Sequence, residues 1–355
     1  MQRVTMGHGA GGEMMQELIS KHIAPLLPRF PTEVSLDSFD DSAVCDDVVF
    51  TTDGHTVKPL FFPGGDIGRL SVCGTVNDIA VMGGRPMALS SAVILEEGLE
   101  LEVLERVMRS AGEASREAGV PIVTGDTKVM ESGKIERMVM VTSAIGKRSP
   151  YMDGNLQTAK QSRKVDSRWL TDDNLREGDV VIASGTMGDH GVALLSFREG
   201  YGFESHISSD CAPLNHMIEE ALQVGGVVSM KDCTRGGMAN AINEWSSKSR
   251  VGIELEEASI PVHEAVRNAC EMLGLDPLSI GNEGKVIIAV VPEQAEAVLR
   301  VLRSHKYGKD AAIVGKAVTS TKHVVMRTEV GGSSILRPPT SVLMTTCLVL
   351  VTALP

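Results

Sequence analysis

Acidic residues at the ends of strand-like runs are the first sign of chemistry. Asp40 and Asp41 stand in "SFDDSAV" ahead of such a run, Asp53 ends another in "VVFTTDG", Asp78 follows Asn77 inside "VCGTVNDIAVMGGRP", and Asp126 closes "PIVTGD". One carboxylate of this kind is ordinarily a turn former, and Asp78 taken alone reads also as an internal cap or a structural ion-pair partner. Several in one half of a chain point further. Clustered carboxylates repel one another unless a cation lies among them, and Mg2+ prefers a few carboxylates together with phosphate oxygens and water. Asp78, on the buried side of a helix-like run, is then explained as a ligand of metal that holds phosphate.

Glycine blocks supply the complementary half of a phosphate site. "GHGAGGEMMQELI", "PGGDIG", "GTMGDHG" and "DCTRGGMANAI" each set small residues ahead of a helix-like run, where free backbone N–H groups can face an anion. Each alone is weak, because such turns are common. None is a Walker A loop, and no strand–GxGxxG–helix unit opens the chain, so P-loop and dinucleotide-binding readings both fail. The histidines show no HxxxH pair or other ligand spacing, which argues against zinc.

Composition restricts the partners. The 46 acids outnumber the 34 bases, for a net charge of -12, and no long basic stripe offsets them, so a nucleic-acid backbone is not an expected partner. An apolar fraction of 43% supports real cores, while aromatics at 3% and 18 methionines mean that aliphatic and thioether groups must fill them. Cys45, Cys73, Cys211, Cys233, Cys270 and Cys347 show no CxxC spacing, and no basic-then-apolar segment opens the chain, which fits a reduced cytoplasm. The body cysteines adjoin apolar residues and are expected to be buried, inert thiols. The longest apolar stretch, "SVLMTTCLVLVTALP", has fifteen residues and is too short to span a bilayer, so no membrane segment is expected.

The elements that must position these groups alternate. Strand-like runs over 48–53, 88–95, 121–124 and 136–145 flank helix-like runs over 66–82, with Asp66 as N-cap, and over 101–118. After a polar, charged stretch the alternation resumes: strands over 180–184, 227–230, 252–255 and 285–291, helices around 192–197 and over 213–222, 238–245, 263–273 and 293–304, and two last strands. The expectation is a mixed α/β protein (α+β type) with residues 1–150 as one domain, 151–177 as a polar connection, 178–336 as a second α/β domain and 337–355 as an atypical tail.

With "GHGAGG", "FDDSAV", "TTDG", "NDIAVMGGRP", "GDTKV", "ASGTMGDHG", "DCTRGGMANAINEW" and "IGNEGK" in this order, the chain resembles the hydrogenase maturation proteins of the HypE family. They belong to the ATP-using superfamily of aminoimidazole ribonucleotide synthetase, selenophosphate synthetase and thiamine monophosphate kinase. The match covers about residues 1–148 and 178–336. "NDIAVMG" and the aspartates recur across the superfamily, whereas the N-terminal glycine block with "GDTKV" and "CTRGG" points to HypE.

The resemblance implies an aminoimidazole ribonucleotide synthetase-like fold whose N-terminal halves pair in a homodimer, with ATP sites near the interface. It implies a carbamoyl dehydratase. HypF carbamoylates a C-terminal cysteine from carbamoyl phosphate, ATP phosphorylates the amide oxygen, elimination leaves a thiocyanate, and the nitrile passes to the HypC–HypD complex as a cyanide ligand for the iron of [NiFe]-hydrogenase. On this reading Asp41, Asp53, Asp78 and Asp126 hold Mg2+ against ATP, with Asp40 and Asn77 beside them. Asp232 and Arg235 line the site from the second domain, and Gly236 and Gly237 permit close backbone approach. Glu283 is the candidate base, and Lys128 the candidate stabiliser of phosphate or imidate charge. Their duller readings stay open: Lys128 paired only with Asp126, Glu283 an ordinary turn residue.

Two alternatives remain. Another ATP enzyme of the superfamily would keep the aspartates, though a selenophosphate synthetase should carry a reactive Cys beside the N-terminal glycines, and "MGHGAGGEMM" has none. A non-catalytic scaffold would keep the fold alone. The tail departs from the family's terminal Pro-Arg-Ile-Cys: it runs "RPPTSVLMTTCLVLVTALP", and Cys347 lies in a β-prone apolar run, so it is expected to be a poor acceptor thiol and the last nineteen residues to come from a frame change or similar event.

Overall fold

Period-two alternation builds the first of two sheets in this computed structural model, which describes residues 3–199 and 207–339. Of the expected tail, residues 340–355, Cys347 included, lie outside the described residues. The first half contains α1 (Gly12–Glu17), β1 (Ala43–Cys45), β2 (Val48–His55), a hairpin of β3 (Phe61–Phe62) and β4 (Gly65–Asp66), α2 (Ile67–Val81), β5 (Gly84–Glu96), α3 (Leu101–Ala118), β6 (Ile122–Met130) and β7 (Met138–Arg148). The sheet order is β1-β2-β7-β5-β6. Only β5 and β6 run parallel there, joined by the crossover helix α3. In β2 the buried side carries Val49, Thr51 and His55, so Asp53 also turns toward the helices that cover this face. The opposite face leaves Phe50, Met87 and Ile145 exposed.

The second half contains α4 (Met152–Ser162), β8 (Val180–Ala183), α5 (Asp189–Glu199), α6 (Asn215–Val224), β9 (Val227–Asp232), α7 (Gly237–Ser249), β10 (Gly252–Glu256), α8 (Glu264–Leu273), β11 (Val286–Val290), α9 (Ala295–Ser304), β12 (Ala312–Val318), β13 (Val324–Arg327) and β14 (Ser333–Ile335). Its sheet order is β14-β13-β10-β12-β8-β11-β9. The edge strand β9 is buried along its whole length and lies against α2.

Helix α2 is the centre of the molecule. Asp66 caps it, its Oδ1 accepting from the N–H groups of Gly68 at 2.7 Å and Arg69 at 3.1 Å. Gly68 lets α3 come close, since a Cβ there would stand 2.2 Å from Val107 O. Leu70, Val72, Cys73, Val76 and Ile79 pack in the core of the first sheet, while Ala80 and Val81 pack in the core of the second. A helix covered on every side needs no polar stripe.

Three expectations are corrected. Residues 151–177 are not merely a polar connection: α4 buries Met152, Leu156 and Ala159, and Leu170 and Leu175 join the second core. Lys160 and Arg163 around those positions had masked the apolar spacing. Cys45 is exposed at the end of β1, unlike the buried Cys73, Cys211, Cys233 and Cys270. The strand expected over 121–124 runs on to Met130.

Candidate active site

The site forms where α2, the inner face of β2, the end of β9 and the loop before β11 meet. Thr51 on β2 donates to Asp78 Oδ2 at 2.9 Å, and Ser42 donates to Asp78 O at 2.8 Å, so Asp78 is fixed by side chain and backbone. Gly74, one turn earlier, leaves a bare patch: a Cβ there would lie 3.5 Å from Asp53 Oδ2 and 3.9 Å from Glu283 Oε2. Two carboxylates from opposite halves therefore converge over one helical position. Buried His55 stands 3.5 Å from Asp53 Oδ2, and Arg235 reaches Asp53 Oδ1 at 3.7 Å. Asp232 is buried beside them.

The electrostatics follow from this crowding. Burial, then Asp232, Asp53 and Asp41, push the Asp78 carboxyl well above the ordinary range. Burial, then Asp53, Asp232 and Asp210, do the same to Glu283, with Arg235 opposing. Asp232 is pushed up to about 8 by burial and by Asp41. These are hard oxygen donors in excess of the positive charge available, a donor set that suits a small divalent cation. Among the described residues no group of three or more His, Cys, Asp or Glu side chains is placed to hold a metal ion by itself. Mg2+ completes its octahedron with phosphate and water, so a partial protein set fits it.

The first-half residues expected at the site do not all meet. Asp41, Asp53 and Asp78 do, together with Asp232, Arg235 and Glu283 from the second half. Asp126 and Lys128 stand apart on the edge strand β6, their side chains 66% and 71% exposed and 4.0 Å from each other. The pairings Asp53–Thr142, Thr142–Ser91 and Ala92–Asp126 put Asp126 three strands across from Asp53, about 14 Å at ~4.8 Å per strand. Within one chain Asp126 cannot share an ion with Asp53, and Lys128 cannot reach Glu283's neighbourhood. Asn77 spends both ends of its amide on backbone, Nδ2 donating to Ala212 O at 3.1 Å and Oδ1 accepting from Leu214 N–H at 2.8 Å. It is a clamp beside Asp78. Gly236 and Gly237 have φ of 80° and 60°, and a Cβ at Gly237 would lie 2.4 Å from Ile280 O, so this turn is tight against the segment leading to Glu283.

Lys231, Asp172, Glu244 and Lys248 were not singled out from the sequence. Lys231 Nζ binds Asp41 Oδ1 at 2.7 Å, Asp172 Oδ2 at 3.1 Å and Glu244 Oε2 at 3.1 Å. Asp172 also accepts from Lys248 at 2.6 Å and from Trp245 Nε1 at 3.0 Å; burial pushes its carboxyl up, but Lys231 and Lys248 bring it below the usual value. Asp40 belongs to this group: its Oδ1 accepts from Asp172 N–H at 3.1 Å, with Lys248 at 3.6 Å. Asp41 thus already has a cation beside it. Lys231 adjoins Asp232 in "KDCTRGG", which was the one hint available.

Comparisons with known proteins agree with this architecture. The family models of AIR synthase related protein match at residues 39–147 for the N-terminal domain and 176–327 for the C-terminal domain. A carbamoyl dehydratase HypE of Rhizobium leguminosarum bv. viciae is 43% identical over 337 residues, 94% of this chain and 92% of that protein. A crystal structure of a HypE–HypF complex aligns with TM-score 0.82 at 41% identity, over 91% of this chain and 99% of that one. One of HypE in complex with ATP aligns with TM-score 0.75 at 40% identity, over 95% of this chain and 99% of that one. With its aspartates gathered on an AIR synthase-type framework and such relatives along nearly its whole length, the chain belongs to the HypE family of carbamoyl dehydratases, enzymes of hydrogenase maturation.

Proposed function

We propose that this chain uses ATP and Mg2+ to dehydrate a carbamoylated cysteine thiocarboxamide to a thiocyanate, the source of cyanide ligands for [NiFe]-hydrogenase iron. The observation that carries the reading is the convergence of Asp53 and Glu283, from opposite halves, over Gly74, with Asp78 and Asp232 as charged neighbours and Arg235 paired with Asp53. A relative in complex with ATP, and the name carbamoyl dehydratase on others, support it.

An amide oxygen is a poor leaving group until it carries a phosphoryl group, so the protein must mainly position and neutralise. Asp53 and Asp78, with Asp41 and Asp232 at their flanks, would hold the metal, which when bound supplies charge neutralisation at the phosphates. Arg235, half-exposed beside Asp53, holds phosphate oxygens and takes the role expected of Lys128. Glu283 takes the N–H proton while phosphate departs and the C≡N bond forms. Burial and the neighbouring carboxylates raise its proton affinity, so it serves as base where Arg235 and the bound cation would hold it ionised.

The described chain ends beside this site. A Cβ at Gly12 would lie 2.5 Å from Pro339 O, and one at Gly236 would lie 3.3 Å from Pro339 Cγ. Cys347 lies eight positions beyond Pro339, a reach of at most about 29 Å at ~3.6 Å each. The reading extends to residues 1–150 as the ATP- and Mg2+-binding, dimerising domain and 178–336 as the second domain. It further assigns HypF as carbamoyl donor, HypC–HypD as acceptor and the cytoplasm as location.

ATP turnover with HypF and carbamoyl phosphate present, in the chain given a tail that ends in Pro-Arg-Ile-Cys, tests the reading. Asp78→Asn should lower it about 100-fold, the scale of losing a group that holds a metal; turnover indifferent to this change would leave only a scaffold. Intact-mass analysis reads the acceptor: no carbamoyl adduct is expected on Cys347 of the unaltered chain, and an adduct followed by loss of water is expected at the terminal cysteine of the restored tail.

A further inference from the structure

Asp210 is a buried carboxylate outside the metal-binding group, yet its bonds end on the residues that present Glu283. Its Oδ1 accepts from the backbone N–H of Glu283 at 3.0 Å, and its Oδ2 accepts from Asn282 Nδ2 at 2.8 Å and Lys285 Nζ at 3.1 Å. The side chain is 3% exposed. Burial opposes its charge, but Lys285 and these hydrogen bonds hold the carboxyl below its usual value. The backbones also touch: a Cβ at Gly284 would lie 1.9 Å from Asp210 O, and Ala212 N–H donates to Glu283 O at 3.4 Å.

The segment that carries Asp210 is itself pinned to the first half. Ser209 N–H donates to Pro63 O at 2.8 Å, Arg69 Nε donates to Cys211 O at 2.8 Å, and the Asn77 amide holds Ala212 and Leu214. Arg69, Cys73 and Asn77 lie four residues apart along α2, on one stripe, and Asp78 follows immediately. The strap over 209–214 thus has two ends: one fixed on the helix that carries Asp78, the other on the loop that carries Glu283. Only a carboxylate can accept three donors at this point while balancing buried Lys285.

We infer that Asp210 is the positioning residue of Glu283, setting the base in register with the carboxylates of the other half. This rests on Glu283 being the base, as proposed above. Displacing a reacting group by about 1 Å can cost roughly 100-fold in rate without affecting binding, so the signature is in kcat and not in KM.

The test measures kcat and KM for ATP in the full chain given a tail that ends in Pro-Arg-Ile-Cys, with HypF and carbamoyl phosphate, for the otherwise wild-type protein, Asp210→Asn, Glu283→Gln and the double variant. Asp210→Asn should lower kcat about 10- to 100-fold with KM for ATP unchanged, and should cost nothing further in the Glu283→Gln background, because there is no base left to place. Asp210→Glu guards against a folding failure: it keeps a charge for Lys285 but lengthens the arm, and should fold and still lose kcat. Wild-type kcat in Asp210→Glu would reduce Asp210 to charge balance and overturn the inference, as would additive losses in the double variant. Full activity in Glu283→Gln alone would sink the base assignment and this inference with it. Loss there, with Asp210→Asn at wild-type kcat, would sink the positioning role only.

Discussion

Asp40 shows how a residue can be adjacent to chemistry and still belong to the scaffold. Burial, and then the negative charge of Asp172, raise its carboxyl from 3.8 to about 7. The folded protein therefore binds more protons than the unfolded one between those values. The contribution of Asp40 to stability is full below that window and lost as pH rises through about 7. Asp40→Asn keeps an acceptor for the Asp172 N–H and removes the charge. The margin by which its Tm exceeds wild type should grow from pH 5 to pH 8, by ~1–2 °C for each kcal/mol of repulsion relieved in a chain of 355 residues, read by thermal melts at both pH values. Asp41 and Asp53 were legible because a carboxylate at a strand end is a local signal, and Asp78 because a carboxylate stands out in an apolar helical run; Asp232 and Glu283 came only with the family resemblance. Lys231 and Asp210 were not legible, because their partners lie 190 and 73 residues away in sequence and only the fold brings them together.

At the scale of elements, the helix expected over 66–82 was found with its cap because Asp66 sits directly ahead of an apolar run. What the run could not reveal is that α2 serves two cores, since uniform apolarity records burial but not by what. The same ambiguity hid α4, whose few apolar residues are spaced for a helix but diluted by charge. Close packing of α2 on α3 depends on Gly68, where a Cβ would meet Val107 O at 2.2 Å and Ala111 N at 3.1 Å. Gly68→Ala should push the helices apart and cost about 1–3 kcal/mol, seen as a lower denaturant midpoint with an unchanged slope.

Across the whole molecule, the first sheet leaves one face and one edge bare. Nearly all of β6 is exposed on both sides, with Val123 and Val129 prominent, an arrangement that invites pairing with another chain. A second copy is the occupant proposed above, and it would also cover Asp126 and Lys128. Sedimentation velocity should then show a dimer, and Val129→Asp should shift it to monomer by placing a charge in the contact. Neither sheet is independent of the other, because α2 contributes Val76 and Ile79 to one core and Ala80 and Val81 to the other. Cutting the chain between the sheets would strip that helix of half its cover. Heating should thus melt both sheets in a single cooperative step, with calorimetric and van't Hoff enthalpies equal, and brief protease treatment should release no folded half.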